Sequence, residues 1–309
     1  MKFAIVGTGA LGGFYGGLLA RAGSDVHFLM RSDADFVREH GLRVESKLGD
    51  FCLPKVQVYQ NVADMPQCDC VIVAIKSTQN NLLPKLLPPL MHDQSVVLVL
   101  QNGLHVEQST REVVGPGRVA GGCCFLCSNK VGPGHIRHID YGKILMGPFR
   151  GLDDSEPGPS MTRLQHIQSE MVAAGIDCHL TESLTESRWR KLMWNIPFNG
   201  LSVILNSSTD KIMGHADSRA LAEAIIREVR QTAVDCGHYI EPEFVQYMME
   251  HTDEMVPYDS SMRLDFLAGR PIEVESIYGN ALRAAHRLHV DAPIMQTMYR
   301  QLKFLADHR

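Results

Sequence analysis

Lys2-Phe3-Ala4-Ile5-Val6-Gly7-Thr8-Gly9-Ala10-Leu11-Gly12 sets the pattern G-x-G-x-x-G directly behind an apolar run. Phe3 to Val6 has the composition of a parallel strand buried on both faces. Beyond Gly12 the apolar residues take helical spacing, through Tyr15, Leu18 and Leu19 to Ala22, and the run stops at Gly23. Val26-His27-Phe28-Leu29-Met30 follows as a second apolar strand and completes a βαβ unit. In such a unit Gly7 makes the tight turn, Gly9 lets the backbone approach a pyrophosphate, and Gly12 lets the helix pack close to the strand. The helix start at Ala10, Leu11 and Gly12, with Thr8 in the loop, offers free N–H groups and a positive dipole end to phosphate. Dinucleotide binding is therefore expected. A secretory signal is the competing reading, because Lys2 precedes the apolar stretch and Ala20-Arg21-Ala22 resembles a cleavage site. Gly7, Gly9 and the further glycines break that apolar stretch, and the signal is set aside.

The end of the second strand bears on which dinucleotide binds. NAD sites usually carry Asp or Glu there, accepting hydrogen bonds from the ribose 2′-hydroxyl. This chain has Arg31, then Ser32, with no carboxylate until Asp33. A guanidinium matches the additional 2′-phosphate of NADP through charge-assisted contacts. NADP (NADPH) is the expected cofactor, and an ordinary surface arginine is the alternative reading of Arg31.

A chain of 309 residues has room for two domains. Its 45% hydrophobic and 21% charged content describes a globular protein. The net charge of −5, without a stripe of Lys or Arg, points away from nucleic acid and anionic membranes as partners. No segment approaches the roughly 20 uninterrupted apolar residues needed to span a bilayer. Eight cysteines without a signal suggest reduced thiols and a cytoplasmic location. Cys123, Cys124 and Cys127 lie in a strand-like run with no second cluster at zinc spacing, so no metal is expected.

Cys70 to Ile75 reads as a continuous buried strand ending at Lys76. A Pro-rich helix through Leu82, Leu83, Leu86, Leu87 and Leu90 is expected next, then a strand from Ser95 to Leu100 ending in Gln101-Asn102-Gly103. This alternation implies an open parallel sheet with helices on both faces, whose ligands bind beyond the carboxyl ends of the strands. Lys76 and Asn102 both stand at such ends. Arg118–Cys127 and His135–Met146 read as antiparallel strands extending the sheet, and 151–160 as an exposed loop. A helix over 161–174 and a strand over 176–180 close the first half. From Ser183 the pattern is almost wholly helical. The expected fold is α/β, with an N-terminal Rossmann-type doubly wound sheet (1–182, NADP-binding) and a C-terminal all-α domain (183–309, substrate-binding).

Two constellations in the helical half carry chemistry. Lys191, Asn195 and Asn199 recur every four residues and share one helix face, among Leu192, Met193, Trp194, Ile196 and Phe198. A solvated polar stripe is the bland alternative, and Pro197 is expected to kink this helix. The second runs Ser260-Ser261-Met262-Arg263-Leu264-Asp265 to Gly269-Arg270-Pro271-Ile272-Glu273-Val274-Glu275. Ser261 suits a helix N-terminus, where hydroxyl and backbone donors hold a carboxylate. A new helix is expected near Ile272, with Glu273 and Glu275 in its first turn, a position that favours acidic residues in any case.

Together with G-T-G-A-L-G at 7–12, V-A-I-K at 73–76 and Q-N-G-L at 101–104, two further motifs make the chain resemble the ketopantoate reductase family over essentially its full length. They are W-R-K-L-x-x-N-x-x-x-N at 189–199 and S-M-x-x-D-x-x-A-G-R-P-x-E at 261–273. The resemblance implies an NADPH-dependent reductase with its substrate between two domains. It implies reduction of ketopantoate to (R)-pantoate on the pathway to pantothenate and coenzyme A. It assigns Lys191 as general acid and Glu273 as its carboxylate partner, also near the cofactor. Asn195, Asn199 and Ser261 become substrate-binding groups, Asn102 lies near both nicotinamide and substrate, and Asp265 supports the site. Arg31 and Lys76 become cofactor contacts.

The chemistry agrees with that assignment, because hydride delivery to C2 of a 2-oxo acid builds negative charge on the carbonyl oxygen. A positioned lysine stabilises this charge and supplies a proton, so no metal is required. The chain departs from the family pattern at His105, where many members have glycine. It departs again at Trp194 and Pro197, and at Glu275-Ser276 in place of Asp-Tyr. Another branched 2-oxo acid as substrate, and a non-catalytic NADP-binding sensor, therefore stand as alternatives. A homodimer is compatible with the apolar helices, which do not themselves specify an oligomeric state.

Overall fold

Strands β1 (Lys2–Val6), β2 (Asp25–Leu29), β3 (Leu42–Ser46), β4 (Phe51–Leu53) and β5 (Gln57–Tyr59) open the first half of the chain. β6 (Cys68–Val73), β7 (Met91–Val99), β8 (Val119–Gly132), β9 (His135–Pro148) and β10 (Cys178–Leu180) complete one sheet. The structure is a computed structural model describing residues 1–153, 155–256 and 259–308. Asp154, within the expected 151–160 loop, and Pro257, Tyr258 and Arg309, within the expected helical domain, lie outside the described residues.

The strand order is β4-β3-β9-β8-β7-β6-β1-β2-β5, with β10 on β9. β1 pairs in parallel with β2 on one side and β6 on the other, so the order reverses beside β1. That reversal places a topological switch point at the carboxyl ends of β1 and β6, where ligands of such sheets bind. The expected antiparallel pair is β8 with β9, which extends the parallel portion beyond β7.

The apolar strands fill both faces by simple alternation. Phe3, Ile5, Cys70, Ile72, Val96 and Leu98 enter one core, and Ala4, Val6, Val71, Val73, Val97 and Val99 enter the other. Successive side chains of a strand point to opposite faces, which is why these runs read as continuously apolar. Helix α1 (Ala10–Arg21) contributes Phe14, Tyr15, Leu18 and Leu19 to the first core.

Around the sheet lie α2 (Ala34–His40), α3 (Leu83–Leu86), α4 (Gln108–Val114) and α5 (Met161–Ala173). The helical half comprises α6 (Leu184–Ile204), α7 (Thr209–Gly214), α8 (Ala216–Asp235), α9 (Glu243–Glu254), α10 (Ser261–Leu267), α11 (Asn280–Arg287) and α12 (Pro293–Asp307). A π-helical turn, Glu275–Gly279, precedes α11. The described chain divides into two compact units, Met1–Gln101 with Val106–Leu184, and Asn102–His105 with Thr185–Arg309. Four residues after β7 thus belong to the helical unit. Trp189, Leu192, Met193, Ile196 and Phe198 of α6 enter that unit's core.

Several local expectations are corrected. The leucine-rich stretch is a 3-10 turn (Ser77–Leu82), the single-turn α3 and a second 3-10 turn (Pro88–Leu90), because Pro84, Pro88 and Pro89 deny a long helix its donors. Ser260, not Ser261, caps α10: its hydroxyl accepts Arg263 N–H, and Ser261 is the first helical residue. Helix resumes at Val274, so Glu273 precedes the turn instead of lying within it. Apart from these corrections, α6 continues as helix on both sides of the expected kink at Pro197.

Candidate active site

The glycine loop follows β1 within the sheet unit. Gly7 has φ +102°, and a β-carbon there would lie 2.6 Å from the Ile75 backbone nitrogen. At Gly12 a β-carbon would strike the Gly7 carbonyl. Both glycines are required by the chain's own packing. Gly9 is different, since a β-carbon added there meets nothing within 4 Å. Its missing side chain serves no contact inside the protein and keeps the space before α1 clear, as a dinucleotide pyrophosphate requires.

Gly9 also caps α1, where Gly13 N–H donates to Gly9 O at 2.8 Å. The N–H groups of Ala10, Leu11 and Gly12 consequently have no acceptor within the helix, and the first turn carries no acidic side chain. Thr8 Oγ1 donates to Leu29 O at 3.3 Å and ties the loop to the end of β2. These features fit a bound phosphate.

Arg31 is exposed just beyond β2, and its guanidinium donates to Gln79 Oε1 at 3.3 Å. Gln79 N–H in turn donates to the carbonyl of Lys76, the residue that opens the Ser77–Leu82 turn. Asp33, the first carboxylate after β2, faces inward. It accepts Gly134 N–H at 2.9 Å and Ser32 Oγ at 2.9 Å, and pairs with Lys130 at 2.5 Å. Burial alone would raise its pKa, but these hydrogen bonds, led by that of Lys130, hold it below the usual carboxylate value. The first carboxylate after β2 is therefore already engaged, while the guanidinium reaches solvent.

Within the helical unit, Lys191 Nζ donates to Asn102 Oδ1 at 2.6 Å. Asn195 and Asn199 are 5% and 3% exposed, which rules out a solvated polar stripe at those positions. Ser202 Oγ donates to Asn199 O at 3.0 Å and lies 2.7 Å from Ser260 Oγ. With its proton on Asn199, Ser202 accepts from Ser260, whose oxygen accepts Arg263 N–H at 3.2 Å. This chain of hydroxyls docks the start of α10, and hence Ser261, against the turn of α6 bearing Asn199. Asp265 is buried and accepts Arg270 Nε at 2.8 Å. Glu273 is buried, and its carbonyl accepts Ser276 Oγ at 3.4 Å and Ile277 N–H at 3.3 Å. The unit thus offers a cationic donor held by an amide, two inward carboxylates and neutral amides suited to an oxyanion or carboxylate.

His105 adopts φ +52°, the left-handed conformation that glycine would occupy without strain. Burial, then the nearby charges of Arg287, His238 and Arg188, push its pKa down to about 4. Ser202, Ser260, Tyr278 and Asn280 support these segments and were not anticipated. Ser260 stands one residue before the expected cap, whereas nothing local marks the other three.

The fold is that of an oxidoreductase acting on CH–OH groups. The chain belongs to the ketopantoate reductase family: residues 3–151 match the model for "Ketopantoate reductase PanE/ApbA" and 183–306 that for its C-terminal part. It is 49% identical to the 2-dehydropantoate 2-reductase of Nostoc sp. (strain PCC 7120), covering 98% of this chain and 95% of that one. The crystal structure of 2-dehydropantoate 2-reductase from Geobacter metallireducens superposes with TM-score 0.93 at 37% identity, over 98% and 99% of the two chains. D-mandelate dehydrogenase, solved with NADH and anilino(oxo)acetate, shares the fold at TM-score 0.86 and 20% identity, over 99% and 98%. Among the described residues, no helix is long and apolar enough to cross a membrane.

Proposed function

We propose that this chain is an NADPH-dependent 2-dehydropantoate 2-reductase that forms (R)-pantoate from ketopantoate, on the route to pantothenate and coenzyme A. Family membership and the 49% identical relative support the substrate. The observation that carries the mechanism is the 2.6 Å hydrogen bond from Lys191 to Asn102.

Gly7, Thr8, Gly9, Ala10, Leu11 and Gly12 hold the pyrophosphate, Arg31 takes the 2′-phosphate, and Lys76, Asn102 and Glu273 make further cofactor contacts. Support for NADP over NAD comes from the exposed Arg31 and the inward, engaged Asp33. A nicotinamide bound there would supply the hydride that C2 of the 2-oxo acid accepts. Lys191 gives its Nζ proton to the carbonyl oxygen as negative charge develops on it, and regains a proton from solvent afterwards. Asn102 restricts the lysine's rotamers, and Glu273 is its carboxylate partner. Asn195, Asn199 and Ser261 bind the substrate's carboxylate and hydroxyl without adding charge. Asp265, through Arg270, braces the end of α10. Eight cysteines, none of them in a disulfide among the described residues, accord with a reducing, cytoplasmic setting.

The test is NADPH oxidation across a panel of 2-oxo acids. Ketopantoate should give the highest kcat/KM. A higher value on another branched 2-oxo acid would replace the substrate, a reading favoured by the bulk of Trp194 and the stiffness of Pro197 on α6. Turnover of none would leave a binding protein.

A further inference from the structure

In an α-helix the carbonyl of residue i accepts the N–H of i+4, but at Glu275 the register slips, and Asn280 N–H reaches back five residues to Glu275 O. π-turns of this kind are uncommon and concentrate at functional sites. Here the displaced groups hold two segments of the candidate site. Ser276 O accepts Leu104 N–H at 2.9 Å, and Asn280 Nδ2 donates to Leu104 O at 2.6 Å. Tyr278 Oη donates to Ile196 O at 2.6 Å, one residue after Asn195 on α6. Arg283 steadies the turn through Asn280 Oδ1 and, at 3.0 Å, Glu275 Oε2. Glu275 also accepts Tyr299 Oη at 2.7 Å and pairs with Lys303 at 3.3 Å.

Leu104 is thus gripped by both of its backbone polar groups, two residues from Asn102. Gly103 permits the approach, since a β-carbon there would strike the Ser276 carbonyl. The segment carries positive φ at Gly103 (+116°) and His105 (+52°), conformations that a free loop would not hold at His105 without support.

We propose that Asn280 is a positioning residue of the reductase: its carboxamide fixes Leu104, and through it the Asn102 oxygen that orients Lys191 Nζ. The inference rests on the reading of Lys191 as proton donor. Asparagine suits the task because one short side chain must donate to a carbonyl and accept from a guanidinium. Aspartate offers only acceptors, and leucine offers neither. A displacement of about 1 Å in a catalytic group can cost on the order of 100-fold in rate.

The experiment compares steady-state kinetics, NADPH affinity and Tm for Asn280→Leu, Asn280→Asp, Asn102→Ala, Lys191→Ala and the double variant Asn280→Leu/Asn102→Ala. Asn280→Leu should lower kcat roughly 10- to 100-fold with NADPH affinity within about twofold. Asn280→Asp, which keeps the size and the Arg283 contact, should lose a similar factor and carries the test if the leucine variant fails to fold. The double variant should be no slower than Asn102→Ala alone, because both changes remove the same constraint. Unchanged kcat in both Asn280 variants, or multiplying losses in the double variant, overturns the proposal. Lys191→Ala separates the two readings: near-normal turnover there removes the proton-donor assignment, whereas its loss alongside normal Asn280 variants removes only the positioning role.

Discussion

Lys191 and Asn102 are 89 positions apart in sequence, yet Nζ of the first lies 2.6 Å from Oδ1 of the second. The contact exists because Asn102–His105 packs with the helical unit although the chain on either side of it belongs to the sheet unit. An amide oxygen at that distance confines a four-carbon side chain that would otherwise sample many rotamers.

Replacing Lys191 with alanine should therefore lower kcat by about 10²- to 10⁴-fold, the range for losing a positioned general acid. Affinity for NADPH, measured by quenching of intrinsic fluorescence, should stay within about threefold. Near-normal turnover would sink the acid role.

The glycine loop separates folding from binding position by position. Gly9→Ala should fold with little change in Tm, since its β-carbon meets nothing and its φ of −85° suits any residue. It should nevertheless weaken NADPH binding by at least about tenfold, by occupying space the phosphates need. Gly12→Ala should lower Tm outright, because its β-carbon collides with the Gly7 carbonyl. Unchanged NADPH affinity in Gly9→Ala would remove the loop from the cofactor site.

Arg31→Ala removes an exposed guanidinium that donates to Gln79 at the protein surface, so stability should hardly change. NADPH affinity should fall roughly 10- to 100-fold, the scale of a hydrogen bond to a charged group, while NADH affinity stays the same. Titration of both cofactors against the variant decides it, and an equal response would withdraw the 2′-phosphate assignment.

His105 makes stability depend on pH. Unfolded, the imidazole binds a proton below about 6.5; folded, burial and the charges of Arg287, His238 and Arg188 delay protonation to about 4. Its contribution is complete above pH 6.5 and is lost as pH falls toward 4, a total on the order of 3 kcal/mol. Urea unfolding between pH 4 and 7.5 should show that slope, and His105→Asn, whose side chain tolerates left-handed backbone, should flatten it. An identical slope in the variant would assign the acid sensitivity elsewhere.

The parallel strands, the antiparallel β8–β9 pair and the helical second half were legible because each rests on local patterning. Period-two alternation, continuous apolar runs and glycine punctuation report burial and turns directly. The stretch from Leu82 to Leu90 misled because leucine spacing outweighed its three prolines. Ser260 and Ser261 were exchanged because either hydroxyl satisfies a cap, and only backbone geometry chooses between them.

Sequence by itself determined the fold class, the family and the residue types available for chemistry, since motif spacing and hydrophobic period are properties of the linear chain. Tertiary structure alone decided that Asn102 meets Lys191, that Asp33 turns inward to Lys130, and that a π-turn grips Leu104 through Ser276 and Asn280. Each of these joins residues far apart in the chain, and such pairings follow from how elements pack, which no local pattern encodes.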